Sequence, residues 1–252
     1  MSLTQVKNLA QEMKLLGVLS VLDQTLSEAQ EERLSISEVL DALLQAEKDY
    51  RDQRLIETRM TSSKLKTRPA LEDFDFTAKR SITKAQIKEL YLLKWCEQGR
   101  PLLIFGPTGV GKTFLAEALG THACRNKITT LFLSVSTFLE TLALARSSSS
   151  YLKWRDRLSR PQLLVLDDFG LKKLTAEEAH DLAELIKERG TEKSTIITTQ
   201  LPFTHWKEVI ADPVIADTLI DRLIHTSLKI TLTGQSYRKV KGEILDRKKG
   251  GA

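Results

Sequence analysis

Residues Gly106-Pro-Thr-Gly-Val-Gly-Lys-Thr113 complete the pattern G-x-x-x-x-G-K-[ST], directly after the apolar run Leu102–Phe105 and directly before the helix former Phe114-Leu-Ala-Glu-Ala-Leu119. Strand, glycine-rich turn and helix in that order make a cradle for phosphate. Gly106, Gly109 and Gly111 let the backbone close around anionic oxygens with its N–H groups turned inward, and the helix adds the positive end of its dipole. Lys112 supplies a mobile cation for β and γ phosphates, and the Thr113 hydroxyl is placed to ligate Mg²⁺. With Pro107, Thr108, Val110 and Phe114 these residues form the expected nucleotide-binding set, with ATP and Mg²⁺ as cofactors.

The partner of such a loop is an acid at the end of a buried strand. Leu163-Leu-Val-Leu-Asp167-Asp168 has that form: Asp167 is expected to hold the metal, and Asp168 to orient the attacking water. Further strands are expected at Thr130–Val135, Thr195–Thr198 and Leu228–Leu232, separated by stretches long enough for helical crossovers. The fold class is therefore α/β, with a parallel doubly wound sheet. Because Thr130–Val135 falls between the two motifs, the acidic strand is not expected beside the phosphate-loop strand, which points away from simple nucleoside kinases and toward ATPases.

Working outward, the N-terminal stretch changes character. Leu9, Met13 and Leu16, then Leu19, Leu22 and Leu26 after an interruption at Gly17, read as a helical hairpin. Ser35 and Glu38 form a capping box opening a longer helix, with Val39, Leu40, Leu43, Leu44 and Tyr50 on its apolar side. Residues 1–65 are expected to form a small all-helical domain for partner or DNA binding, 66–80 a linker, and 81–252 the nucleotide-binding domain.

Composition sets the outer bounds. The chain has 252 residues, 41% hydrophobic, with 12 Gly and 6 Pro, which excludes low-complexity, collagenous and disordered classes. Cys96 and Cys124 cannot make a disulfide framework, and no apolar run approaches the roughly 18 residues of a membrane span. A cytoplasmic protein with no membrane partner is expected. The 38 Lys and Arg exceed the 33 Asp and Glu by only five, so the distribution of charge carries the information: residues 59–70, 79–94, 146–160 and the tail from 238 are basic.

Gly106–Thr113, Leu163–Gly170, Ile196–Pro202 (Ile-Ile-Thr-Thr-Gln-Leu-Pro) and Leu219–Leu223 (Leu-Ile-Asp-Arg-Leu) follow one another at the spacing of AAA+ proteins. With Leu71–Phe76 and Ser236-Tyr-Arg238, the chain resembles the IstB-type ATPases, helper proteins of insertion-sequence transposases, and is similar to the DnaC replicative helicase loaders. The resemblance implies that Thr199 or Gln200 senses the γ-phosphate or attacking water, and that Arg222 is an arginine finger reaching a neighbouring subunit's nucleotide. It also implies a weaker sensor-like part for Arg238. Two departures stand out. Asp168 occupies a position usually held by Glu, so slow or partner-stimulated hydrolysis is expected; and with 30 residues after Arg222, a reduced C-terminal lid is expected.

The implied function is an ATP-dependent transposition helper that self-associates into a ring or helical oligomer on DNA and recruits or regulates a transposase, with hydrolysis as the release switch. A helicase loader is the alternative; a metabolic kinase is disfavoured by the position of Arg222. DNA contact is expected to be largely sequence-independent, through Lys153, Arg155 and Arg157 on an element that resembles an inward-facing part of ring ATPases, and through Lys64, Lys66 and Arg68.

Overall fold

Ser2 opens the first helix, α1 (Leu3–Glu12), through a capping box with Gln5. α2 (Leu16–Glu32) and α3 (Ile36–Ser62) follow. The box expected at Ser35 is present: the Ser35 N–H donates to Glu38, whose own N–H donates to the Ser35 hydroxyl. Gly17 does not interrupt the hairpin. It lies inside α2, and the chain turns before it, where Lys14 takes φ 57°. The glycine is needed for close approach, because a Cβ there would come within 2.5 Å of Ala46 O and Glu47 Cα. The buried Glu47 carboxylate accepts the Gly17 N–H at 2.7 Å and the Val18 N–H at 3.3 Å, capping α2 from α3. On α3 the expected apolar side is only partly covered: Val39, Leu43 and Tyr50 are half-buried, whereas Leu40 and Leu44, with Ile36 at i, i+4, i+8, are more than half exposed.

The computed structural model describes residues 2–74, 81–234 and 236. The chain divides into two units between Thr58 and Arg59. The second unit contains α4 (Lys84–Tyr91), α5 (Lys94–Glu97), β1 (Leu102–Phe105), α6 (Lys112–Arg125), β2 (Thr130–Ser134), α7 (Val135–Ser147) and α8 (Tyr151–Ser159). It continues with β3 (Leu163–Phe169), α9 (Ala176–Arg189), β4 (Ser194–Thr199), α10 (Trp206–Val209), α11 (Pro213–Ile220) and β5 (Leu228–Thr231). The part of the expected linker that is described packs in this unit, with Leu71 and Phe74 buried; residues 75–80 lie outside the described residues.

The five strands form one parallel sheet in the order β2-β3-β4-β1-β5. β4 thus separates the acidic strand from the phosphate-loop strand, as the order of the motifs leads one to expect. Side chains alternate between two cores. Leu103, Leu131, Leu133, Leu164, Leu166 and Ile197 pack with Phe138, Leu182 and Trp206, whereas Leu102, Ile104, Phe132, Leu163, Val165 and Ile196 pack with Leu115 and Leu119. Burial of each such side chain is worth about 1.5–3 kcal/mol, so both faces must be covered, and that fixes the doubly wound architecture. β2 stops one residue earlier than expected because Ser134 caps α7, its hydroxyl accepting the Thr137 N–H at 3.1 Å. β3 runs on to Phe169 through a bulge after Leu166, carrying both carboxylates past the end of its neighbour's regular register.

Candidate nucleotide site

The parallel sheet brings the carboxyl ends of β1, β3 and β4 to one edge, where ligands of open α/β sheets bind. A cleft of about 360 Å³ opens there between the phosphate loop, Asp168 and Gln200. Gly109 and Gly111 adopt φ 80° and 100°, a region open to glycine at little cost, and a Cβ on Gly109 would strike the Ser236 side chain. α6 starts at Lys112, so its free N–H groups face the loop.

The Thr113 hydroxyl donates to both Asp167 oxygens, at 3.1 and 3.0 Å. Asp167 also accepts the Thr198 hydroxyl at 2.5 Å, and that same hydroxyl accepts the Asp168 N–H at 2.9 Å. Asp168 sits in the left-handed region at φ 62°, which Asp tolerates better than most residues other than glycine. The bulge and this turn let consecutive residues, which a regular strand would send to opposite faces, serve one site. Burial raises the Asp167 pKa, the Thr198 hydrogen bond works the other way, and Asp168 raises it further. Burial likewise lowers the Lys112 pKa, opposed by Asp168 and Asp167. Its ammonium donates to Pro107 O at 3.0 Å, so the lysine folds back over its own loop.

The residues present suit ATP and Mg²⁺. Thr113 and Asp167 supply hard oxygen donors, while Lys112 and the loop N–H groups supply the complement for polyphosphate.

Gln200 lines the cleft, whereas Thr199 is fully buried and donates its hydroxyl to Phe169 O at 2.8 Å. Of these two candidates, only Gln200 faces the phosphate loop. Arg222 lies in a turn of π-helix, Asp221–His225, that continues α11. It lines a second cleft, of about 410 Å³, with Pro101, Lys193 and Thr226 at the amino ends of β1, β4 and β5. That is the far end of the sheet from its own phosphate loop. Asp217 pairs with Lys207 at 2.5 Å, and Arg222 has no ion pair among the described residues. Arg238 lies outside the described residues.

The basic residues separate into groups. Arg155 pairs with Glu188 at 3.1 Å, whereas Lys153 and Arg157 are exposed and share one face of α8. Trp154 is buried against Phe138 and donates its indole N–H to Thr141 at 3.1 Å, so it belongs to the core. Lys64, Lys66 and Arg68 are exposed on the segment before Leu71. Cys96 and Cys124 are both free and buried, and burial pushes the Cys96 thiol up to about 12. Among the described residues, no helix is long and apolar enough to cross a membrane.

Sequence reading missed Thr198. The threonine is plain in Ile-Ile-Thr-Thr-Gln, but its role depends on β4 pairing with β3 in a register that sets Ile197 beside Leu166.

A family model described as IstB-like ATP-binding protein matches residues 8–243. The chain is 38% identical to an insertion-sequence ATP-binding protein of Sinorhizobium fredii, over 90% of this chain and 93% of that one. It is 33% identical to the IS21 ATP-binding protein of Pseudomonas aeruginosa, over 86% and 82% of the two chains. The crystal structure of the DnaC helicase loader superposes with a TM-score of 0.56 at 19% identity, covering 65% of this chain and 96% of that one, a likeness of fold. With its AAA+ fold and its phosphate loop, the chain belongs to the IstB-like ATP-binding protein family.

Proposed function

We propose that this protein is a transposition helper: an ATPase that assembles on target DNA in its ATP-bound form, engages a transposase there, and is released by hydrolysis. The observation that carries the reading is the hydroxyl–carboxylate pair Thr113–Asp167 behind a complete phosphate loop, in a chain whose relatives are named for insertion sequences. The DnaC likeness is one of fold, so a helicase-loading role receives no separate support.

In this reading Lys112 leaves Pro107 O for the phosphates, and Thr113 and Asp167 would hold Mg²⁺, which would supply charge neutralisation at the phosphates. Asp168 takes the proton side of the attacking water, and Gln200 fixes that water or the γ-phosphate. An Asp reaches less far than a Glu by one methylene, and turnover is slow unless a partner tightens the site. Arg222 completes the site of an adjacent subunit, which makes assembly and hydrolysis one process. The helical unit, with Ile36, Leu40 and Leu44 exposed, serves as the partner-binding element.

The test is fluorescence anisotropy with a random-sequence duplex, in ATP·Mg²⁺ and in ADP·Mg²⁺, alongside phosphate release. Tight binding in ATP and weak binding in ADP is expected. With six or more phosphates neutralised per assembly, affinity falls by about 10³ or more between ~50 and ~200 mM salt. Duplex binding indifferent to nucleotide would remove the switch.

A further inference from the structure

Lys64, Arg157 and Arg160 come from distant parts of the chain and line one cleft of about 400 Å³ beside β2, an edge strand of the sheet. Thr61, Ser62 and Thr129 add hydroxyls, and no acidic residue lines the cleft among the described residues.

The position of Lys64 is built in. Ser63 O accepts the Phe132 N–H at 2.7 Å, so the segment runs along the outer edge of β2 and covers one of its free donors. Ser63 and Leu65 are buried on either side of the exposed lysine, and Leu65 packs over Gly120. Farther on, Glu117 of α6 accepts the Lys66 N–H at 3.2 Å and the Thr67 hydroxyl. Between these anchors Lys64 takes φ 59°, a left-handed conformation that an L residue adopts only at a cost, and its side chain is held out over the cleft wall.

From the other side, Lys153, Arg157 and Arg160 fall at i, i+4 and i+7, so one face of α8 leads into the cleft. Arg160 is tied to Asp156 through Nη2 at 2.6 Å, while Lys64 and Arg157 have no ion pair among the described residues. Like charges lining one cleft repel one another, and an anion bound there relieves the repulsion. The lining offers cations and hydroxyls and no aromatic ring, which suits phosphate oxygens and not base stacking.

We infer that this cleft grips the phosphodiester backbone of duplex DNA, with Lys64 and Arg157 as its two principal contacts. The inference rests on the reading of the protein as DNA-binding, and it moves the contact from the whole basic stretch of α8 to one wall shared with the Thr61–Lys64 segment. Arg155, engaged by Glu188, takes no part.

The test uses the full chain with ATP·Mg²⁺ and a random duplex over a salt series, comparing wild type with Lys64→Gln/Arg157→Gln. Lys187→Gln/Lys207→Gln removes the same charge from surface ion pairs elsewhere and serves as control. The cleft variant is expected to bind about tenfold or more weakly near 100 mM salt, and its log–log salt slope to fall by about 2 relative to the control. Titration with a fluorescent nucleotide should match wild type in both variants, showing that the fold is intact. If wild type binds duplex and the cleft variant keeps the control's affinity and slope, the cleft assignment is overturned while the DNA-binding reading stands. If wild type binds no duplex with either nucleotide, the DNA-binding reading falls, and the cleft with it.

Discussion

The Thr198 hydroxyl stands 2.5 Å from Asp167 Oδ1 and 2.9 Å from the Asp168 backbone nitrogen, so one buried side chain ties the carboxylate of Asp167 to the backbone of Asp168. It donates to the first and accepts from the second, which uses the hydroxyl's proton and a lone pair. The Asp168 N–H has left the regular ladder at the bulge, and Thr198 is what satisfies it.

Replacing Thr198 by Val keeps the shape and removes both hydrogen bonds. The Asp168 N–H would lose its partner, at about 1–3 kcal/mol, whereas Asp167 Oδ1 keeps the Thr113 hydroxyl at 3.1 Å. Urea unfolding should report a loss in that range for Thr198→Val, with Thr198→Ser close to wild type. Phosphate release should fall more than nucleotide affinity, since the phosphate loop itself is untouched. Equal stability of the Val and Ser variants would show that the hydroxyl holds nothing.

Binding and turnover should separate by residue. Lys112 meets phosphate in the ground state, whereas Asp168 acts mainly when water attacks. Lys112→Ala is expected to lose fluorescent-nucleotide affinity by tenfold or more. Asp168→Asn, which retains the shape and can still take φ near 62°, should bind ATP·Mg²⁺ normally and release no phosphate. Hydrolysis surviving in Asp168→Asn would remove that carboxylate from the mechanism.

The phosphate loop and acidic strand were legible in the sequence because each is local: a few adjacent residues determine both conformation and chemistry. The strands were legible for the same reason, as continuous apolar runs buried on two faces. What lay out of reach depends on pairing across the sheet. Thr198 gains its role from the register of β3 and β4, and Thr199, next to it, faces a backbone carbonyl and not the cleft. The meeting of Lys64 with Arg157 depends on a segment following the β2 edge. Gly17 read as a helix breaker, and only the approach of α3 reveals why a residue without a Cβ is needed there. The apolar side of α3 was legible as periodicity, but periodicity does not separate its half-buried Val39, Leu43 and Tyr50 from the open Leu40 and Leu44.

Glu47 gives the helical unit a pH dependence. Burial opposes its charged form, but hydrogen bonds from Arg51, Val18 and Gly17 outweigh this and hold its pKa below the ordinary glutamate value. A group whose folded pKa is depressed contributes stability above the unfolded pKa and loses it as pH falls through the folded value. Protection of the Gly17 and Val18 amides against hydrogen exchange should therefore be constant above about pH 4.5 and decline below it. Glu47→Gln should exchange faster at neutral pH and approach wild type in acid. A variant as protected as wild type at pH 7 would show that Glu47 does not cap α2.

Arg222 and the phosphate loop occupy opposite ends of the same parallel sheet, one beside the amino ends of the strands and the other beyond their carboxyl ends. Within one chain the guanidinium therefore has no route to its own nucleotide, and any part in hydrolysis must be played on another copy. It is exposed, has no ion pair among the described residues, and stands on a π-helical turn whose Leu223 and Ile224 are buried, so it is free at its tip and fixed at its base. Arg222→Ala is expected to bind nucleotide as wild type does and to lose turnover by about 10³ or more, the range of trans-acting arginines. Arg222→Lys should retain little more activity than the alanine variant, because an ammonium cannot match the guanidinium's two-point contact with phosphate oxygens. Mixing Arg222→Ala with Lys112→Ala gives the decisive measurement. Where an Arg222→Ala subunit supplies an intact nucleotide site and a Lys112→Ala neighbour supplies the arginine, one working interface forms, and phosphate release should recover in part. If the two variants co-assemble, as tested by labelling one of them, and no activity returns, Arg222 does not act across the interface.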